Sequence, residues 1–257
     1  MAKHFEKKNK IKIKKRKIIV FLILLIIFLF AFINLLRWFI YNKKTDNLID
    51  NMIEIGFSTQ SENTENVENP INFENLKNIN SDVVGWIKIE NTEINYPIVK
   101  TTDNDYYLHR DINKEYNTCG WIFMDYKNSK DFIDKNTVIY GHNIKSGLMF
   151  EPLQKIINNE LGNDIVIEIY TETEKLNYKV FSSYIEEPED YAIKSNIVTE
   201  EEQSKYITEM LKRSSISYNL VPDKSDKLLT LSTCDNTGNK RILVHSVYIG
   251  GEKYNKK

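Results

Sequence analysis

KLLTLSTCDNTGNKRILVHSVYI, residues 227–249, holds two apolar runs separated by a polar turn. The segments 227–234 and 241–249 are rich in Leu, Ile, Val and Thr, and Asp235, Asn236, Thr237 and Gly238 between them are turn-formers, so the stretch reads as a hairpin. Upstream, GWIKIE (85–90), INYPIV (94–99), CGWIFMD (119–125), TVIYG (137–141), DIVIEIY (164–170) and LNYKVFSSYI (176–185) have the same β-branched and aromatic character, which makes eight strand candidates in all. Two helical segments interrupt them, 148–157 and 199–213. In the second, Thr199 caps, Glu202 completes a capping box, and Tyr206, Ile207, Met210 and Leu211 form an apolar stripe. Eight short strands with few helices predict a mainly β protein built on a closed barrel rather than a doubly wound sheet.

The chain before the barrel is organised by charge. The net charge over 257 residues is -1, yet residues 1–17 hold nine Lys/Arg and one Glu, which leaves -9 for the other 240. IIVFLILLIIFLFAFINLL (18–36) follows, nineteen residues with Asn34 as the one polar member. As a helix it extends about 28 Å, enough to cross a bilayer. A cleaved signal would have a shorter apolar region and a small-x-small site, which Ala31-Phe32-Ile33 does not offer, so an uncleaved anchor is expected. The cations ahead of it place the N-terminus in the cytoplasm and the rest outside. A juxtamembrane helix then presents Ile40, Leu48, Met52 and Ile55 near one face. STQSENTENVENP (58–70) has Val67 as its only aliphatic side chain apart from Pro70, cannot bury a core and reads as a linker. The expected organisation is a basic cytoplasmic tail (1–17), a transmembrane anchor (18–40), a juxtamembrane helix and linker (41–70), one folded domain (71–250) and a polar tail (251–257).

Composition excludes several classes. Hydrophobic content of 41% with 28% charged residues is not that of a disordered chain, and two Cys make neither a disulfide scaffold nor a four-cysteine zinc site. No basic folded region remains for nucleic acid once residues 1–17 are set aside.

Reactive chemistry must therefore come from a few residues. Cys234 ends an apolar strand and precedes an open turn, where a nucleophile is both fixed and reachable. His142 follows TVIYG in the same manner. Arg241 opens the next strand, and a hairpin would return its fork of donors to Cys234, ready to hold a developing oxyanion. Each alone has a plainer reading: a small core thiol, a loop imidazole, a solvated strand-edge charge.

Together these residues resemble a known family. Thr230-Leu231-Ser232-Thr233-Cys234 resembles the TLxTC signature of sortases, the membrane-anchored cysteine transpeptidases of Gram-positive bacteria, Tyr140-Gly141-His142-Asn143 their histidine segment, and Arg241 their arginine. Asn80-x-Asp82-x-x-Gly85-Trp86-Ile87, Thr92-x-Ile94-x-Tyr96-Pro97-Ile98-Val99, Asp105-Tyr106-Tyr107-Leu108, Gly120-x-Ile122-Phe123-Met124-Asp125 and the helix at 199–213 are similar to class B members. The resemblance covers about residues 73 to 249 and implies an eight-stranded sortase-type β-barrel with an N-terminal helix and a further helix between the sixth and seventh strands.

It also implies a mechanism. Cys234 attacks the carbonyl of a Thr in a C-terminal sorting motif, His142 protonates the leaving amine, and Arg241 stabilises the oxyanion. A peptidoglycan precursor or cross-bridge amine then resolves the thioacyl enzyme. Ser232 and Thr233 line the peptide groove, and Asp235 either modulates His142 or starts the turn. The implied partners are sorting-signal-bearing surface proteins, peptidoglycan and the membrane through residues 18–40, with no nucleic acid, no metal and no cofactor.

Rival readings attach to the same residues. Cys119 could form a disulfide with Cys234, His245 competes with His142 although about 13 Å further along its strand, and Glu186, Glu187, Glu189 and Asp190 could bind Ca²⁺ or simply be solvated. A pilin polymerase with a Lys acceptor and a membrane-tethered binding module with a structural Cys234 are the alternative functions. No Asp-Pro-aromatic lid precedes the barrel, which counts against the polymerase.

Overall fold

In the computed structural model the described residues are 2–57, 68–187, 193–234 and 239–255, with side chains from residue 16 onward and excepting that of Cys234. The chain separates into two compact units, 1–44 and 45–257. Helix α1 (Ala2–Gly56) carries a stretch long and apolar enough to cross a membrane, and its side chains from Ile18 to Ile40 are exposed.

The second unit contains the eight expected strands. They are β1 (Val83–Ile89), β2 (Asn95–Val99), β3 (Phe123–Met124), β4 (Asn136–Tyr140), β7 (Val166–Tyr170), β8 (Glu174–Glu186), β9 (Leu228–Cys234) and β10 (Arg241–Lys253). They close a barrel in the order β1-β2-β3-β4-β9-β10-β8-β7. Helix α2 (Phe73–Ile79) precedes the barrel, and α4 (Glu200–Arg213) lies between β8 and β9, the sixth and seventh barrel strands.

Both faces of β10 are covered, which is why its sequence reads as a nearly continuous apolar run. Ile242 and Val244 join the principal core, whereas Leu243 and Val247, of opposite parity, pack with Tyr206, Ile207 and Met210 of α4. Burying each of these side chains stabilises the fold by about 1.5–3 kcal/mol. Helix α4 starts as the capping pattern requires, with Thr199 Oγ1 accepting the Glu202 N–H at 3.1 Å and the Glu202 carboxylate accepting the Val198 N–H at 3.2 Å. Its inward face uses Gln203 as well, and Leu211 is only partly buried.

Three boundaries differ from expectation. The segment 148–157 is not one helix: Leu148–Met149 is a short strand (β6) paired with β5 (Asn143–Ile144), and only Leu153–Ile157 (α3) is helical. Met149 at φ 58° breaks any helix there. The compact unit begins at Thr45 rather than near 71, because Ile49 and Met52 enter the core and Gly56 lies so close to Trp86 that a Cβ would stand 2.7 Å from its ring. At the other end β10 continues to Lys253, paired with Glu174, so part of the polar tail is strand.

His245 is a packing residue. It is 1% exposed, with Nδ1 3.0 Å from the Thr230 hydroxyl and Nε2 3.1 Å from that of Tyr184. Burial pushes its pKa down from 6.5 to about 3. An unfolded chain takes up this proton below about pH 6.5 and the folded chain refuses it, so the stability present above that pH is lost as pH falls. His245 alone is expected to lower stability by about 2 kcal/mol between about pH 7.5 and about pH 5. Melting temperatures across that range should fall less steeply in His245→Gln; parallel slopes would refute this account.

Candidate active site

Strand pairing assembles the three reactive candidates. β4 and β9 are parallel neighbours with Tyr140 opposite Ser232. Both chains then run two residues further, to His142 and to Cys234. On the other edge of β9, antiparallel β10 sets Arg241 directly opposite Cys234. Neighbouring strands lie about 4.8 Å apart, so a central Cys backbone is flanked by His142 and Arg241 at one barrel end. The Cys234 side chain and all of Asp235 lie outside the described residues.

The orientation of His142 is set by one hydrogen bond. Its Nε2 is 2.8 Å from the Leu108 carbonyl oxygen. A carbonyl only accepts, so Nε2 carries the hydrogen and Nδ1 keeps the basic lone pair. Leu108 closes a 3-10 turn (Tyr106–Leu108), and the preceding residue is tied back by the Trp121 N–H to the Tyr107 carbonyl at 2.9 Å. Gly120 makes room for this seat. A Cβ there would lie 2.8 Å from the Leu108 oxygen and 2.9 Å from His142 Cδ2, and its φ of +58° also favours glycine. Burial lowers the pKa of His142, the Leu108 carbonyl opposes that shift, and neighbouring His109 adds to it.

A groove of about 760 Å³ opens beside these residues, lined by Asn104, Asp125, Tyr140, His142, Ser232 and Arg241 among others, with 193–196 along another side. Asp125 organises part of it, accepting from the Asn104 amide at 3.0 Å, the Tyr140 hydroxyl at 2.9 Å and the Lys127 N–H at 2.9 Å. Burial, then the Asp125 charge, pushes the Tyr140 phenol above its ordinary range. Ser232 lines the groove, and its buried Oγ has no hydrogen-bond partner among the described residues. Thr233 has the opposite strand parity and does not line the groove among the described residues. Asn104, Asp125 and the 193–196 segment escaped the sequence reading because nothing in their local pattern marks them; Asp125 alone stood at the end of a quoted strand.

The rivals separate. Cys119 is a buried thiol outside any disulfide, 2% exposed, so it is not bonded to Cys234; burial raises its pKa, and a hydrogen bond with Thr45 opposes that. Glu186 pairs with Arg213 and Glu187 with Lys240, while Glu189 and Asp190 lie outside the described residues. Among the described residues there is no group of three or more His, Cys, Asp or Glu side chains suited to a metal ion.

A closed eight-stranded barrel thus brings the strand ends that lead to His142, Cys234 and Arg241 to one rim. The sortase domain family matches residues 87–248. Sortase B of Listeria monocytogenes is 36% identical over 201 residues, covering 76% of this chain and 79% of that protein. Among solved structures, Clostridium perfringens sortase B aligns with a TM-score of 0.66 at 36% identity, covering 70% of this chain and 100% of that one. A Staphylococcus aureus sortase B–substrate complex aligns at 0.72 and 29% identity, covering 82% and 98%. The chain belongs to the sortase family, and within it to class B, the cell-wall sorting transpeptidases.

The Gly120 seat gives a direct test. Gly120→Ala is expected to lower kcat/KM by about 10²-fold through displacement of His142 and Leu108, with the far-ultraviolet dichroism of the barrel retained. Near wild-type turnover would show that the close approach does not matter.

Proposed function

We propose that Cys234, His142 and Arg241 carry out the transpeptidation, and that the groove beside them holds the sorting motif of an exported protein. The observation that carries this reading is the strand register, which sets Cys234 between the ends of the strands bearing the other two. The Cys234 thiolate attacks the Thr carbonyl carbon, and the electron pair moves onto oxygen beside the Arg241 guanidinium. The C–N bond then breaks, His142 Nδ1 gives its proton to the departing amine, and a thioester remains. An amine of the peptidoglycan precursor attacks that thioester, loses a proton to His142 and displaces the thiolate. Ser232, which lines the groove and whose buried Oγ has no partner among the described residues, is the hydrogen-bonding group we assign to the peptide. The relative from Staphylococcus aureus described in complex with substrate supports the peptide reading by analogy.

The lowered pKa of His142 bears on the resting state. Neutral imidazole and neutral thiol predominate near pH 7, and the thiolate–imidazolium pair is a minority form favoured by the nearby Arg241 charge. In the organisation we infer, residues 1–17 are cytoplasmic, 18–40 span the membrane and the barrel domain works outside, joined through 58–70, with Thr45–Gly56 counted in the catalytic unit.

The test uses the full chain in detergent with a pentapeptide library fixed at Thr in the fourth position and hydroxylamine as the amine. Wild type is expected to release a Thr hydroxamate, Cys234→Ala none, and Arg241→Lys about 10²-fold less. Cleavage by Cys234→Ala, or at a residue other than Thr, would overturn the assignment. Iodoacetamide labelling of Cys234 should keep accelerating as pH rises through about 7, since lowered His142 basicity leaves no stable imidazolium to hold a thiolate at lower pH. A plateau already reached below about pH 6 would contradict the neutral resting pair.

A further inference from the structure

We propose that Asn128, Asn136 and Tyr206 are positioning residues that fix one wall of the groove from behind and so set its selectivity, a role that rests on the reading of the groove as the peptide site. The wall is the segment after β8 that includes Lys194 and Ser195, both of which line the groove. Residues 193–196 belong to no sheet or helix, so their backbone polar groups have no ladder to join and must be held by side chains. Each carbonyl is held by a buried carboxamide. Asn136 Nδ2 donates to the Lys194 carbonyl at 2.7 Å while its Oδ1 accepts the Thr230 hydroxyl at 3.0 Å. Asn128 Nδ2 donates to the Ser195 carbonyl at 3.0 Å and to that of Asn136 at 2.9 Å, and its Oδ1 accepts the Val138 N–H at 2.8 Å. The Lys194 N–H in turn donates to the Tyr206 hydroxyl. Asn136 and Tyr206 are 0% exposed and Asn128 3%, so none of the three is placed to touch a peptide.

The references these residues use matter more than the number of bonds. Asn136 opens β4, whose far end leads to His142, and its partner Thr230 stands on β9, four residues before Cys234. Tyr206 belongs to α4, which also meets the segment through the Lys194–Glu202 ion pair at 3.3 Å. The wall is thus measured from the two strands that carry the nucleophile and the histidine, and α4 is the brace behind it. A peptide lying in the groove needs that separation fixed; the chemistry at Cys234 does not. Loosening the wall should therefore weaken peptide binding and relax selectivity while leaving the chemical step nearly intact.

The experiment compares the full wild-type chain in detergent with Tyr206→Phe, which removes one hydroxyl and keeps the ring, and with Asn136→Asp and Asn128→Asp, which keep shape and lose the donor. With the best peptide of the Thr-fixed library and hydroxylamine, KM is expected to rise about 10-fold, the effect of one ordinary hydrogen bond, with kcat within about threefold. Discrimination among library members should narrow, and the rate of Cys234 labelling by iodoacetamide should stay at the wild-type value. A lowered melting temperature with unchanged KM and selectivity would show these residues to be ordinary core polar groups and overturn the proposal. Equal losses in kcat and labelling rate would place their effect at the reactive centre and overturn it too. Amide hydrogen exchange of 193–196 gives an answer independent of turnover: it should accelerate in Tyr206→Phe, and unchanged exchange refutes the brace even if wild type cleaves no Thr peptide. Should the Asp variants fail to fold, Tyr206→Phe decides by the same readouts.

Discussion

The constraint on which the rest depends is the pairing of β9 with a parallel neighbour on one side and an antiparallel neighbour on the other. A parallel pair brings strand ends of the same sense together, so the residues following β4 and those ending β9 emerge side by side. An antiparallel pair brings an end to a beginning, so the first residue of β10 meets the last of β9. The backbones of His142, Cys234 and Arg241 are thereby brought to one rim, although His142 stands far from the other two in sequence. The apolar residues that zip these strands, Leu229 and Leu231 of β9 with Ile242 and Val244 of β10, are fully buried, so the register is enforced by the core.

Around that rim, close packing does electrostatic work. Gly120 lets the Leu108 carbonyl and the His142 ring approach, and the carbonyl selects the tautomer. The same enclosure that fixes the ring withdraws it from water and lowers its basicity. Orientation and proton affinity are coupled here: a more solvated imidazole would hold its proton better and its direction worse.

How much of this was legible beforehand follows from the range of the interactions. All eight barrel strands were visible because each is written in a local run of β-formers, and α4 was visible from its cap and stripe. The β5–β6 hairpin was missed because Leu148 and Met149 continue an apolar run into α3, and only a positive φ at Met149 separates them. Ser232 lines the groove and Thr233, its neighbour, does not among the described residues, a difference that the two-residue alternation of a strand accounts for. The wall at 193–196 was beyond reach: its holds come from Asn128 and Asn136, 67 and 58 residues away, and two asparagines near a strand carry no mark of such a duty. Likewise Thr45–Gly56 read as a stalk because the contacts that claim it for the core, such as that of Gly56 with Trp86, are long-range.

The closed barrel explains why a braced wall is needed. Many peptide-binding domains gain affinity by letting the ligand add a strand to an open sheet edge, where backbone hydrogen bonds supply most of the affinity and the partner's position. Closure removes such edges and protects the sheet from unwanted pairing, but it also removes that ready-made template. A peptide must then be held by side chains and irregular backbone outside the ladder, whose positions no strand register enforces. Carboxamides suit the task of fixing such backbone, since each supplies a donor for a stray carbonyl and an acceptor that ties it back to the sheet. Asn136 does both at once, between Lys194 and Thr230, and Asn128 does so between Ser195 and Val138, so groove geometry is inherited from the barrel through side chains.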